Sequence, residues 1–385
     1  MLGDDTADMA RIVVVGAGCF GSWTAWHLTA SGHAVTLVDA YGPGNSRSSS
    51  GGESRVIRMG YGDSGIYTRW ARQSLRQWQR MFAAAAPPLF HRTGVLWIAR
   101  DHDRYMASTL QTLQAMGVPH QRLTRAQLET RWPQIDFHEI ALGVLEPDSG
   151  VLLARRAVAA VADAAVRAGA QLVSASAGQP VGRGRLQAIT LEPTGTIDAD
   201  LFVFACGPWL PKVFPALLGD RMFITRQEVV YVGPPAGDAR FAPPAMPAWI
   251  DFGSEMYGVP DIETRGFKIA LDRHGAPFDP DQPRHPGSTF DEVRAYVARR
   301  FPPLAGSPIV AAEVCQYENT SNGDFIVDRH PSFENVWIVG GGSGHGFKHG
   351  PAVGEYVARL VDGSAEPEPR FALSTKEPVQ QRSVF

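Results

Sequence analysis

Residues 11–40 read RIVVVGAGCFGSWTAWHLTASGHAVTLVDA, and the fold class is predicted from this segment. The apolar run at residues 12–15 is typical of a strand buried on both faces of a parallel sheet. A glycine-rich turn follows, then a helix that ends near Gly32, then a second apolar strand at residues 35–38. This order of strand, helix and strand predicts a βαβ unit.

The turn between the first strand and the helix carries the motif G-x-G-x-x-G. Its glycines allow backbone amides and the positive helix end to approach a pyrophosphate. Asp39, eighteen residues after Gly21, is placed to accept hydrogen bonds from an adenosine ribose. The motif predicts a dinucleotide site without separating NAD from FAD, and a tight turn without a ligand is the alternative. The predicted cofactor contacts here are Gly16, Ala17, Gly18, Cys19, Phe20, Gly21 and Asp39.

The composition limits the class of protein. The chain has 385 residues with 44% hydrophobic content, which favours about two domains. A net charge of −3 with interspersed signs argues against a nucleic-acid partner, and no apolar run suits a membrane span. The acidic N-terminus is unlike a secretory signal, and three scattered cysteines fit a reducing cytoplasm. We expect a cytoplasmic protein, and no residue pattern suggests a metal.

A second glycine-rich turn lies in NVWIVGGGSGHGFKHGPAVGEYVARLV, residues 335–361. A nicotinamide enzyme needs one such turn, whereas a flavin enzyme has use for another beside its ring. The glycines allow close approach, and a helix beginning near Pro351 directs its positive end at the ring. Lys348 and His345 would stabilise negative charge there. A hydrogen-bonded loop histidine is the alternative for His345. Lysine is rare in this chain, with four among 36 basic residues, which favours a specific role for Lys348.

Four further stretches resemble the monomeric sarcosine oxidase group, within the wider family of FAD enzymes similar to D-amino-acid oxidase. They are SSSGGESRVIRMGYGD (48–63), GVLEPDSGVLLARRAV (143–158), CQYENTSNGDFIVDRHP (315–331) and GSGHGFKHGPAVGE (342–355). The likeness covers nearly the whole chain in the right order. It implies FAD as the cofactor, a small-molecule amine and O₂ as reactants, and a monomer.

The strands typical of a nucleotide-binding unit lie at the start of the chain, near residues 150–210 and at the end, and the segments between are more antiparallel in character. This pattern predicts an α/β fold with a Rossmann-like, discontinuous FAD-binding domain and an inserted α+β substrate domain containing a mostly antiparallel sheet. The expected FAD-binding segments are 1–85, 150–215 and 320–385, and the expected substrate segments are 86–149 and 216–319. Two capping pairs, Thr124 with Gln127 and Thr289 with Glu292, predict helix starts. The polar tail after Gly363 is expected to lie loosely on the surface, with Lys376 incidental.

The resemblance also implies roles for four reactive side chains. Cys315 would carry FAD covalently, the alternative being an inert buried cysteine. Arg55 would lie over the flavin face, while Arg58 and Lys348 would hold a substrate carboxylate. Lys268 would activate O₂. Ordinary ion pairing is the alternative for the arginines, and a strand-end lysine for Lys268.

Weaker matches complete the predicted site. Tyr257, Tyr317 and His345 match positions that line the substrate cavity in this group. Trp249 is a further candidate for the wall of that cavity. Asp272 replaces a histidine of the group, which suggests a larger or more basic amine. Ser50 and Gly51 replace a histidine pair. The remaining predicted cofactor contacts are Ser49, Gly207, Trp209, Gly342, Gly344, Gly346 and Phe347.

These inferences predict an FAD-dependent oxidase of secondary amines. It would oxidise the C–N bond of an N-methyl, sarcosine-like amino acid to an imine and reduce O₂ to H₂O₂. An oxidase of a cyclic imino acid or of a biosynthetic intermediate is the nearest alternative. A dehydrogenase that passes electrons to a carrier and a non-catalytic flavoprotein are the others.

Overall fold

The computed structural model describes residues 9–381, which form four sheets with helices packed on them. The strands are β1 Arg11–Val15, β2 Ala34–Asp39, β3 Arg55–Ile57, β4 Phe90–His91, β5 Val95–Ala99, β6 Gln121–Thr124, β7 Leu142–Glu146, β8 Gly150–Leu152, β9 Gln171–Ser174, β10 Ser176–Ala177, β11 Ala188–Glu192, β12 Gly195–Asp198, β13 Leu201–Phe204, β14 Met222–Val232, β15 Ala248–Asp251, β16 Met256–Val259, β17 Phe267–Leu271, β18 Ile309–Thr320, β19 Ile326–Arg329 and β20 Val336–Gly340. The helices are α1 Cys19–Ala30, α2 Gly65–Met81, α3 Arg104–Ala115, α4 Arg125–Arg131, α5 Ala154–Arg167, α6 Leu210–Val213, α7 Pro215–Leu218, α8 Phe290–Arg300 and α9 Gly350–Val361.

The first sheet is the predicted nucleotide-binding sheet. Its order is β19-β20-β13-β1-β2-β9, and every neighbouring pair is parallel except β19 with β20. Both faces of β1 are covered because its apolar residues 12–15 are all buried. Helix α1 packs against α9 and α5. The carboxyl ends of β1, β13 and β20 therefore meet at one edge, which confirms the predicted α/β class.

A second sheet of eight strands has the order β18-β14-β17-β16-β15-β5-β7-β6. It is antiparallel apart from β15 with β5, as the sequence predicted for the substrate portion. Strand β18 forms one edge and lies against the turns of the first sheet. Two small sheets, β3-β8-β4 and β10-β11-β12, complete the fold.

Both predicted helix starts are confirmed. Thr124 and Gln127 form the complete capping box of α4. Thr289 is the N-cap residue of α8, but its side chain makes no capping hydrogen bond, so the predicted capping pair with Glu292 does not form. The Thr289 hydroxyl instead donates to Glu228 Oε2 at 3.0 Å. The Glu228 carboxylate is buried and requires hydrogen-bond donors. The Thr289 hydroxyl therefore bonds to it and not to the first turn of the helix.

The tail after Gly363 is packed, contrary to the prediction. Phe371 is fully buried and Leu373 nearly so, because both fill apolar clusters of the core. Lys376 is also buried, and its Nζ donates to the carbonyl of Arg370 at 2.8 Å. Burial lowers the pKa of Lys376 to about 8. Among residues 9–381 no helix is long and apolar enough to cross a membrane.

Candidate active site

The first glycine turn leaves no room for a side chain at Gly16 or Gly21. A Cβ on Gly16 would lie 2.4 Å from the carbonyl oxygen of Ala205, and one on Gly21 would lie 1.7 Å from the carbonyl oxygen of Gly16. The close approach brings the turn, the end of β13 and the start of α1 together. Asp39 accepts a hydrogen bond from the amide of Ala17 at 2.8 Å. Its carboxyl group thus lies at the turn, where burial raises its pKa.

The second glycine turn, residues 341–349, touches the first. The thiol of Cys19 donates to the carbonyl of Phe347 at 3.0 Å. A Cβ on Gly346 would lie 3.0 Å from the ring of Phe20, and one on Gly344 would lie 2.8 Å from the ring of Tyr317. Two turns three hundred residues apart in sequence therefore form one continuous backbone surface.

A single cleft runs along this surface. Fourteen of the seventeen residues predicted to contact the cofactor line it: Gly16, Gly18, Cys19, Phe20, Asp39, Ser49, Arg55, Gly207, Trp209, Cys315, Gly342, Gly344, Gly346 and Phe347. The other three do not line the cleft. The amide of Ala17 donates to Asp39, Gly21 packs against Gly16 within the turn, and Lys348 Nζ donates to Tyr61 Oη. The predicted substrate residue Tyr317 lines the cleft beside Cys315.

Arg55 and Cys315 meet at one end of the cleft. An Arg55 guanidinium nitrogen lies 3.1 Å from Cys315 Sγ and donates to the carbonyl of Ser49 at 2.7 Å. The buried Lys268 lies next to this pair, where its Nζ donates to the carbonyl of Ser54 at 2.8 Å. Burial, and then the charge of Arg55, lower the pKa of Lys268 to about 7. Lys268 is therefore a compact cation whose proton is easily lost.

Tyr61 brings Arg58 and Lys348 together. The Arg58 guanidinium carbon lies 4.4 Å from the centroid of the Tyr61 ring, and Lys348 Nζ donates to Tyr61 Oη at 2.9 Å. His349 Nε2 lies 2.8 Å from the same Oη. Burial, followed by the charge of Lys348, lowers the pKa of His349 well below its ordinary value and keeps it neutral. Sequence reasoning missed Tyr61 and His349, although both lie inside the matched motifs.

Glu146 fixes the backbone that follows Arg58. Its buried carboxylate accepts hydrogen bonds from the amides of Met59 and Gly60, at 2.6 and 2.9 Å, and from Trp97 Nε1 at 2.8 Å. The Arg58 side chain then lies over the Trp97 ring, 4.8 Å from its centroid. The sequence analysis missed Glu146, and the available signal was an acidic residue inside an apolar strand.

Asp272 lies near both Arg58 and Tyr317. Its Oδ1 accepts a hydrogen bond from Tyr317 Oη at 3.1 Å. Burial, and then the negative charge of Asp272, raise the pKa of Tyr317 well above its ordinary value. Tyr257 is a partly buried neighbour of both, with its ring 5.9 Å from Lys268 Nζ. Tyr257 and Tyr317 are thus neutral hydroxyl groups.

Seven residues predicted to act in catalysis or to contact the substrate lie outside the wall of the cleft: Arg58, Trp249, Tyr257, Lys268, Asp272, His345 and Lys348. His345 Nε2 donates to the carbonyl of Gly323 at 3.0 Å, and its ring stacks on Phe325. Its catalytic role stays a prediction. Trp249 lies opposite Gly258 and Ile269 on the sheet, on the face away from Tyr257 and Lys268. It packs in the core, so its assignment to the cavity wall was wrong.

Comparison with known proteins identifies the family. The family model described as "DAO: FAD dependent oxidoreductase" matches residues 11–360. The chain belongs to this family. It is 30% identical to the monomeric sarcosine oxidase of Streptomyces avermitilis, covering 91% of this chain and 93% of that protein. It is 29% identical to the human peroxisomal sarcosine oxidase, with 92% of each chain covered.

Among solved structures, the fold is similar to that of L-proline dehydrogenase from P. horikoshii. The TM-score is 0.81 at 22% identity, covering 95% of this chain and 97% of that one. The protein is thus an FAD-dependent amine or amino acid oxidase of the sarcosine oxidase type, as the sequence predicted.

The residues of the cleft fit the FAD of this oxidase family. Both glycine turns line it. An added Cβ on Gly342 would lie 3.0 Å from Glu318, and one on Gly344 would lie 2.8 Å from Tyr317, and both of these side chains also line the cleft. The Ser49 hydroxyl and Glu318 Oε2 are buried in its wall without a hydrogen-bond partner in the described part of the chain. Such atoms are expected where a polar ligand supplies the partner.

Proposed function

We propose that the protein oxidises the C–N bond of an N-methyl amino acid of the sarcosine type. The products are an imine, which water hydrolyses, and H₂O₂. The observation that carries this proposal is the meeting of Arg58 and Lys348 at Tyr61. Two cations on one aromatic ring suit a single carboxylate, because charge-assisted hydrogen bonds orient an anionic group strongly.

Bound FAD would supply the two-electron acceptor for the amine and pass the electrons to O₂. In the cleft, Ser49, Arg55 and the two glycine turns would hold it, with Cys315 as the point of covalent attachment. Arg58 and Lys348 would hold the substrate carboxylate and so fix the carbon to be oxidised. The hydroxyls of Tyr257 and Tyr317 would form the opposite wall.

Lys268 would act in the reaction with O₂. Its ammonium group, held by the Ser54 carbonyl, is a fixed positive charge in a buried site. Such a charge stabilises the negative charge that O₂ takes up with the first electron. Arg55 lies beside it and would add to the same field.

The test is anaerobic bleaching of the purified flavoprotein with a panel of amines. We expect sarcosine or another N-methyl amino acid to bleach the flavin, and air to restore the colour with release of H₂O₂. Bleaching by cyclic amino acids alone would favour the alternative, an oxidase of a cyclic imino acid. Asp272, which replaces a histidine of the group, supports that alternative. Restoration only by an added electron carrier would mark a dehydrogenase.

Covalent attachment and the monomeric state are tested separately. We expect the flavin colour to remain with acid-precipitated protein, and Cys315→Ala to release it into the supernatant. A colourless wild-type pellet would refute the thioether. Light scattering should give the mass of one chain.

A further inference from the structure

Glu318 is a buried carboxyl group in the cleft that the proposed reaction does not use. It lies on β18, 9% exposed, and lines the cleft with both glycine turns. Its Oε1 accepts a hydrogen bond from the amide of Gly342 at 3.3 Å. Its Oε2 has no hydrogen-bond partner among residues 9–381. Burying a polar atom in that state is costly, so a ligand that provides the partner would be stabilised.

The position of Glu318 identifies the part of the cofactor that it faces. A Cβ on Gly207 would lie 2.9 Å from Glu318 Oε2. Gly207 follows β13 and Gly342 follows β20, so the carboxyl group lies across the ends of two parallel strands. The pyrophosphate turn after β1 is on one side, because β1 is the next strand in the sheet. Cys315 lies three residues earlier on β18 and lines the same cleft.

FAD that extends from the pyrophosphate turn to Cys315 must place its polyol linker between them. The linker carries hydroxyl groups, which exchange hydrogen bonds readily with a carboxyl group. We propose that Glu318 binds the polyol linker of FAD as a neutral carboxylic acid. This inference rests on FAD as the cofactor and on the proposed position of its flavin at Cys315, and not on the proposed substrate.

The surroundings favour the neutral acid. Burial raises the pKa of Glu318 to about 7. On β14 its cross-strand neighbour is the apolar Ile224. On the side of β13 the thiol of Cys206 faces it, and the second turn presents backbone amide. The ionisable side chains that line the rest of the cleft are Cys19, Asp39, Tyr41, Arg55, Cys206, Lys212, Asp281, Cys315 and Tyr317.

The proposal predicts the direction in which FAD affinity changes with pH. The pyrophosphate of FAD is negative, so its entry into the cleft would raise the pKa of Glu318 further. Binding then takes up a proton wherever the free protein has lost it. We expect FAD affinity to fall by roughly tenfold or more from about pH 6 to about pH 8.5, through linkage.

The experiment measures FAD affinity by fluorescence quenching in a Cys315→Ala background, where the cofactor can exchange. Glu318→Ala should weaken binding about tenfold at pH 6, the loss expected for a buried hydrogen-bonding group. Glu318→Gln mimics the neutral acid, so it should bind at both pH values as the background protein does at pH 6. Glu313→Gln, a carboxyl on the same strand outside the cleft wall, is the matched control and should retain the pH dependence.

Unchanged affinity in Glu318→Ala would overturn the contact with FAD. A pH dependence that persists in Glu318→Gln would overturn the neutral acid. If Glu318→Ala fails to fold, as judged by circular dichroism, Glu318→Gln carries the test because it keeps the volume of the side chain. The affinity is measured without amine or O₂, so an error in the proposed substrate leaves this result unaffected.

Discussion

Arg58 and Lys348 reach the same ring from different parts of the chain, and this convergence can be tested one residue at a time. Arg58→Ala should raise the half-saturating concentration of an amino acid substrate roughly 10- to 100-fold, the size of a lost charge-assisted hydrogen bond. Rapid-mixing measurement of flavin reduction against substrate concentration checks this. An amine that lacks the carboxylate is the control, since it should lose little. Equal losses for both substrates would remove the carboxylate clamp.

A substitution at Lys268 should affect flavin reduction and reoxidation by O₂ differently. Lys268→Met should slow reoxidation by O₂ roughly 100-fold or more, as the loss of one fixed charge does elsewhere, and leave flavin reduction nearly unchanged. Stopped-flow traces of each half-reaction provide the measurement, and the reductive rate is the internal control. Similar losses in both half-reactions would contradict this assignment.

The pH dependence of reoxidation gives a second test of Lys268. Its pKa is about 7, so the charged ammonium predominates below that pH and is lost above it. The wild-type rate with O₂ should therefore fall as the pH rises through about 7, and the Lys268→Met rate should be flat. A wild-type rate that does not change across this range would show that the proton of Lys268 has no part in the step.

At the scale of elements, the second turn depends on one glycine that both bends the chain and meets a ring. Gly344 has φ +75°, and an added Cβ would lie 2.8 Å from Tyr317. Gly363, after α9, has a similar φ of +68° with nothing within 4 Å. Each alanine variant should cost roughly 1–3 kcal/mol of backbone strain. Gly344→Ala should in addition incorporate less FAD, because Tyr317 must shift.

Thermal unfolding and the ratio of flavin to protein absorbance distinguish these two variants. Gly363→Ala should retain full flavin content at a lower Tm. Equal flavin content in both variants would mean that the approach of Gly344 to Tyr317 does not shape the cleft.

At the scale of the whole molecule, the C-terminal segment supports the site from outside. Phe371 is fully buried, and its ring stacks on Phe325, which in turn stacks on His345 of the second turn. Phe371→Ala should reduce the free energy of unfolding by about 3–5 kcal/mol, as other buried phenylalanines do. Val379→Ala, at an exposed position of the same segment, should change it by less than about 0.5 kcal/mol.

Denaturant unfolding of both variants tests this support. A loss in Phe371→Ala as small as that in Val379→Ala would mean that the segment is only loosely attached. The segment is polar on average, and this led to the prediction that it lies loosely on the surface. Its two buried apolar residues, Phe371 and Leu373, stand among prolines and charged residues.

The local elements around the cofactor could be predicted from the amino-acid sequence. The runs of β1 and β20, the two glycine turns and the helices α1 and α9 were all predicted, because periodicity and glycine placement act within a few residues. The matched motifs also predicted Arg55 and Cys315, which lie 260 residues apart and meet at 3.1 Å.

Which side chains face one another could not be predicted from the sequence and follows from the packing of the sheets. Trp249 and Tyr257 both lie in buried strands, and the register of β15 and β16 places them on opposite faces of the sheet. Tyr61 contacts both Arg58 and Lys348. Glu318 lies beside Gly207 and Gly342, in turns that follow two strands far apart in sequence and adjacent in the sheet. Such contacts depend on how sheets pack, and packing follows from the shapes of many residues at once, which no short stretch of sequence contains.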